Sequence, residues 1–540
     1  MMRRAVVGAR GERRRSGWIG AWVGGLVVAL GGLLALPQAA LAQSAADIRA
    51  AHEALGAWDP EGAQPIVERL EAAAPDDARV LFLRGHLTFM QGDYQNAIDQ
   101  LERSVERGGG PMAEHYLALA RNTWEQTANY VHHLTADGNF VISHPPGVDA
   151  VLVPYAEEAM ASAWTRLTQI FDYVPERPVR IEIYPTVDVL GAVSPLTVAE
   201  IRTSGTIALC KYNRLMITSP RDLVYGYDWL DTLSHEFIHL LVTKKSRNTV
   251  PIWLHEGLAK YYEVKWREGA EPKLERHAEA LLARALESDG LISFEDMSPS
   301  MAKLPSQEAT ATAFAEVFTV IEFLNRRHGG DVAATLVDLM AQGKTDREAV
   351  SEVAKLPWDR FERTWVGYLR GRGYRDLDAS AQVQRLLFRG KDSEADELAA
   401  IRVQSARDHV WLGDRLRLRK RWLAAAKQYR KAVEHVGDRS PLVQGKLGHA
   451  LLRMGRPEEA AVELSKPIEE HPRHVILQVY LGQALLQLGR YDEARKHLEN
   501  AITINPFDPD VHQSLAIVYE RMGEPERAAI ERRAHQLVTR

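Results

Sequence analysis

With 540 residues, 46% hydrophobic and 26% charged, the chain has the composition of a soluble globular protein long enough for several domains. Without its first forty-two residues it carries 61 basic and 71 acidic side chains, a formal −10, which argues against nucleic acid as a partner. Cys210 is the only cysteine, so an internal disulfide is excluded.

The first stretch differs from that average. Arg3, Arg4, Arg10, Arg13, Arg14 and Arg15 form a positive region, and Trp18 to Leu36 is an apolar run. Ala40-Leu41-Ala42 offers a small-x-small cleavage site, so residues 1–42 read as a secretory signal peptide. An uncleaved anchor is the alternative, since nineteen apolar residues nearly span a bilayer. The expected location is outside the cytoplasm, periplasmic or extracellular and associated with the cell envelope. The membrane would be touched only through an uncleaved signal.

Residues 43–128 read as helices with a repeat signature. Gly85 is followed after seven residues by Gly92 and after five by Ala97. The same spacing returns in Gly448, Gly455 and Ala460, then in Gly482, Gly489 and Ala494, then in Ala516, Gly523 and Ala528. Each step is thirty-four residues, and Leu412-Gly413 lies one unit upstream with a single-residue slip. Period and pattern resemble tetratricopeptide repeats, whose small residues let paired helices approach closely. Residues 400–540 read as an array of them, with 377–399 as a linker or helical connection. Such arrays bind proteins or peptides on a concave face, or act as rigid spacers.

Residues 129–376 alternate strand-like and helical pieces. Phe140–Ser143 and Val179–Tyr184 are strand candidates, and Tyr155–Phe171 reads as a helix. Thr206–Cys210 and Leu215–Thr218 are two more strands, flanking the turn Lys211-Tyr212-Asn213. Downstream, helices are expected over Pro272–Gly290, Ala309–Arg327, Asp331–Gln342 and Trp358–Gly371.

Between these lies His235-Glu236-Phe237-Ile238-His239, an H-E-x-x-H motif. Leu230, Leu233, Phe237 and Leu240 or Leu241 recur at helical steps, giving one apolar face, with Asp228 or Asp231 as cap. Residues four apart on a helix stack one turn above each other, so both imidazoles point the same way. Glu236, about 100° around the axis, reaches water without filling a coordination position. Thr243 to Asn248 reads as a polar loop, and a second helix beginning near Pro251 runs back with Glu256 in its first turn. Two histidines and a glutamate make a zinc ligand set that leaves one position for water.

These runs, Leu230–His239 and Trp253–Ala259, resemble the peptidase MA-like group of gluzincin metallopeptidases over about 129–374. The fold class expected is α+β and mostly helical, a gluzincin-type domain with a small β-sheet flanked by helical repeat segments. The resemblance implies Zn²⁺ on His235, His239 and Glu256, Glu236 as general base, and peptide-bond hydrolysis. It also implies a strand edge beside the metal that pairs with extended substrate, with Gly205–Cys210 or Leu215–Thr218 as candidates and a plain structural hairpin as the alternative. Relatives often carry a tyrosine near the start of the Ala309 helix to stabilise the oxyanion, where this chain has Phe314. Tyr261 and Tyr262 are the substitute candidates for that catalytic role. His255 reads as a surface residue or a support behind the ligands rather than a fourth ligand. Asp231 either orients an imidazole or caps its helix. Lys244, Lys245 and Arg247 read as a solvated loop. The Gly-x-Met-Glu-Asn run with which aminopeptidases of the clan bind the substrate amine is absent, so exopeptidase activity lacks positive support. The rival reading is a repeat scaffold that keeps the metal but not the turnover.

Overall fold

Val179–Tyr184 alternates Val, Ile and Ile with polar residues, and in the computed structural model of the chain it forms the central strand β3. The structure describes residues 38–376, 386–390, 393–401, 403–436 and 440–540. The signal-peptide reading therefore falls, up to residue 37, outside the described residues, as does most of the linker between 377 and 392. Among the described residues no helix is long and apolar enough to cross a membrane. The chain divides into two units, Met1–Ala45 and Ala46–Arg540, and everything below concerns the second.

Five strands form one sheet: β1 (Val131–Leu134), β2 (Phe140–His144), β3, β4 (Ala208–Lys211) and β5 (Arg214–Thr218), in the order β1-β2-β3-β5-β4. β2, β3 and β5 run parallel, while β1 and β4 pair antiparallel at the two edges. Tyr212 and Asn213 carry positive φ values of 56° and 57°, the left-handed pair that a tight hairpin between β4 and β5 needs. β5 lies between β3 and β4, so its backbone is fully paired. Of the two strands proposed for substrate pairing, only β4 has a free edge. β1 has no counterpart in the sequence reading, because Val131 and Leu134 are exposed and His132-His133 break the alternation.

The H-E-x-x-H segment forms helix α1 (Trp229–Ser246). It is buried on nearly every side, not along a single stripe, because sheet, helices and repeats all pack on it. Lys244 and Lys245 belong to its last turn and not to a loop. They pair with Glu61 at 3.3 Å and Asp338 at 2.9 Å, cations suited to a helix C-terminus. Arg247 and Asn248, both at positive φ, reverse the chain into α2 (Ile252–Tyr262). A Cβ on Gly257 would stand 3.0 Å from the Val317 carbonyl, so glycine there lets α2 lie close against α3 (Gln307–His328).

The helix pair Ala78–Gln91 and Tyr94–Glu106 shares one core with the sheet, and that core does not break at residue 128. The joint is polar. Glu182 on β3 accepts from Arg214 at 3.0 Å and from Tyr184 at 2.5 Å, and contacts Arg180 of its own strand and Tyr94 of the repeat helix. Burial alone would raise the Glu182 pKa, but the two guanidiniums outweigh it and hold it down at about 2. Its contribution to stability is therefore full above the ordinary value of 4.5 and is lost as pH falls towards about 2. Glu182→Ala, which leaves two buried guanidiniums without their carboxylate, is expected to cost about 3–5 kcal/mol. The measurement is the shift of the denaturant midpoint at pH 7.

Among the described residues from 404 to 538 there are four helix pairs. They dock directly on the start of α1. The Tyr227 N–H donates to the Ile504 carbonyl at 3.0 Å and the Trp229 indole N–H donates to Ile502 at 3.0 Å. These are last-turn carbonyls that the helix Tyr491–Ile504 leaves without internal donors. Within the expected linker, the Val224 N–H donates to Leu387 O at 2.8 Å and Phe388 is buried, so residues 386–390 lie along the domain that holds the sheet.

Candidate metal centre

Three side chains converge between α1 and α2. Glu256 Oε2 lies 3.2 Å from His235 Nε2 and 3.4 Å from His239 Nε2, and one ligand atom from each of the three residues falls within 4.8 Å of the others. Each imidazole is fastened by its other nitrogen. His235 Nδ1 is 3.0 Å from Glu263 Oε2, and His239 Nδ1 is 2.6 Å from His255 Nδ1. His255 Nε2 in turn reaches Thr243 Oγ1 at 3.1 Å. Both Nε2 atoms are thus turned towards Glu256, the arrangement that outer partners impose on ligating histidines.

The electrostatics favour positive charge at this spot. Burial opposes a charged His235, yet hydrogen bonds to Glu256 and Glu263 override it and push its pKa up to about 10. Burial raises Glu256 and Glu263 too, but the neighbouring imidazoles and Lys260 prevail, holding Glu256 well below the carboxylate range and Glu263 at about 2. Burial drives His255 well below the usual imidazole value, so it stays neutral and can accept from His239. Glu236 is buried, and burial raises its pKa; the Cys210 backbone N–H on β4 binds its carboxylate. Its Oε2 has no partner among the described residues. A two-imidazole, one-carboxylate donor set beside an unpartnered carboxylate oxygen fits a divalent cation of the zinc type with a water next to it.

Other sequence candidates lie elsewhere. Tyr262 is buried, with its hydroxyl donating to Asn325 Oδ1 at 3.2 Å, and Tyr261 packs on Phe318. Five and six residues beyond Glu256, both project from other faces of α2, so neither reaches the cluster. Asp231 accepts from the Trp266 indole at 2.8 Å and pairs with Arg267 at 2.7 Å, and it orients no imidazole. Asp228 holds the position before α1 but makes no side-chain cap; its carboxylate pairs with Arg473 at 2.7 Å. His255 is buried, not a surface residue. Phe314 does stand at the site, its ring 6.3 Å from that of His235, and brings no hydroxyl there.

Two contributors escaped the sequence reading. Glu263 lies seven residues after Glu256, on the same face of the helix, and that periodicity was the available signal. Arg473 comes from the repeat array and pairs with Asp228 and Glu275, its charge acting on Glu263; no local pattern announces it. Glu263→Gln is expected to weaken zinc binding by about 10–100-fold, measured by competition with a chromogenic chelator.

Comparison with known proteins agrees with this architecture. The Peptidase MA superfamily profile matches residues 159–371, and the tetratricopeptide repeat profile matches 48–111 and 446–509. No curated protein matches the chain significantly. Among solved structures, MamA (AMB-1) is 23% identical over 26% of this chain and 81% of its own, with a TM-score of 0.23. The Sgt2 TPR domain from Aspergillus fumigatus is 18% identical over 24% of this chain and 85% of its own, with a TM-score of 0.22. The chain therefore combines a Peptidase MA superfamily domain, over residues 159–371, with tetratricopeptide repeats.

Proposed function

We propose that this chain is an exported, zinc-dependent peptidase whose repeats bind protein partners or substrate. The observation that carries the reading is the convergence of His235, His239 and Glu256, with both Nδ1 atoms fastened from behind. His235, His239 and Glu256 would hold a zinc ion, which would supply Lewis acidity for water and for a peptide carbonyl. Glu236 is the general base: its unpartnered Oε2 takes the proton of the attacking water and returns it to the departing amine. Burial raises its proton affinity, which suits an acceptor that must later donate. The free edge of β4 suits an extended peptide, which would add as a further strand next to Glu236. The basic start and apolar run of residues 1–42 support export to the periplasm or the outside of the cell, and the net acidic charge speaks against nucleic acid.

The test is digestion of a peptide library with and without a chelator. Cleavage that stops on chelation and returns with Zn²⁺ is expected. A second reading, a metal-binding repeat scaffold without turnover, is favoured by Phe314, which places a ring without a hydroxyl beside His235. Stoichiometric zinc with no cleavage of any library member would select it.

A further inference from the structure

The first helix pair of the C-terminal array, α4 (Gln404–Leu418) and α5 (Trp422–Val436), ends in a turn unlike those of its three neighbours. Counting from the shared small residues Gly413 and Gly448, Leu418-Arg419-Lys420-Arg421-Trp422-Leu423 occupies the place of Arg453-Met454-Gly455-Arg456-Pro457-Glu458 and its later equivalents. Three substitutions of type stand out. The neighbours tuck Met454, Leu488 and Met522 against the core, where this turn has the exposed Arg419. They expose Arg453, Gln487 and Arg521, where this turn has Leu418 at 74% exposure. They begin the next helix with Glu458, Asp492 and Glu526, acids that suit a helix N-terminus, where this one has Leu423 at 55% exposure.

The fourth departure is conformational. Gly455, Gly489 and Gly523 take φ values of 70°, 74° and 79°, and Lys420 takes the equivalent place at φ 55°. A side chain in that region is strained, and such strain is retained where the residue itself is needed. The neighbouring turns also neutralise their arginines: Arg490 pairs with Glu493 at 2.6 Å, and Arg456 pairs with Glu459. Ala424 stands at the equivalent of Glu459, and among the described residues no carboxylate pairs with Arg419, Lys420 or Arg421. Trp411 (58% exposed), Arg415 and Leu418 continue the stripe along one face of α4, the guanidinium of Arg415 lying 4.1 Å above the Trp411 ring.

We propose that this turn is a docking tip for a bilayer surface that contains anionic phospholipid. Two leucines project from the end of a helical hairpin among three exposed cations that pair with no carboxylate of the described residues, with a tryptophan behind them. Leucine gains by entering the acyl boundary, the cations meet phosphate headgroups, and tryptophan sits well at the interface. The tip would hold an exported enzyme at the membrane independently of whether its metal centre turns over.

The experiment uses residues 43–540, which contain the whole unit Ala46–Arg540. The protein is sedimented with vesicles of phosphatidylcholine alone or mixed with phosphatidylglycerol. Binding to the mixed vesicles only, weakened by salt, is expected. The variant R419Q/K420G/R421Q should bind about a hundredfold more weakly, at roughly fivefold per cation. Because K420G restores the glycine of the other repeats, its melting temperature should not fall. L423E, which restores the neighbours' acid, should also weaken binding. Equal binding to both vesicle types, or a triple variant that binds like the parent, would overturn the proposal. So would retention on immobilised polyglutamate without vesicle binding, which would mark the tip as a contact for acidic protein.

Discussion

Replacing Glu236 by Gln is expected to lower peptide hydrolysis by about two to four orders of magnitude while zinc content stays at one per chain. The reason is geometric. Glu236 follows His235 by one residue and so sits about 100° around the helix axis from it, close to the two imidazoles and Glu256 yet held by the Cys210 N–H of β4, with Oε2 left without a partner among the described residues. An amide in its place keeps the volume and can still meet the Cys210 N–H with its oxygen, so the helix should not move. What it lacks is a basic oxygen for the proton of water. Turnover on a peptide substrate, measured beside zinc content by mass spectrometry, separates the two effects. Full activity of the Gln variant would sink the general-base assignment.

Glu256→Ala is expected to remove the metal itself. Glu256 contributes the only carboxylate among the three converging ligands and comes from α2, so its loss leaves two imidazoles of one helix facing a gap. The fall in zinc affinity should exceed the about 10–100-fold expected for an outer partner such as Glu263. In the parent protein, affinity should rise with pH: hydrogen bonds to Glu256 and Glu263 hold a proton on His235, and that proton must leave before its Nε2 can take a cation. Competition titrations with a chelator at several pH values test both statements. An Ala variant that kept parental affinity would show that the carboxylate is not a ligand.

The scale of these effects reflects how few atoms form the centre and how many hold it. His235 Nδ1 depends on Glu263, and Glu263 depends on Lys260 at 2.5 Å with the charge of Arg473 beyond. Arg473 belongs to the loop between two repeats, and Ile502 and Ile504 of the next pair anchor the start of α1. The repeat array is therefore part of the support of α1, which carries the candidate ligands His235 and His239, not only an appended arm.

By itself the sequence determined what depends on short periods. Four-residue spacing put His235 and His239 on one helix face, the alternation of Val179–Tyr184 marked its strand, and thirty-four-residue steps of small residues marked the repeats. Only the tertiary structure decided which groups from distant segments meet. It brought Glu263 and His255 behind the imidazoles and set Phe314 beside His235. It also turned Tyr262 to Asn325 and Asp231 to Trp266, and carried Arg473 across the chain to Asp228. The physical reason is the range of each constraint: backbone geometry couples residues within a few turns, whereas the facing of a side chain across an interface follows from how whole helices pack.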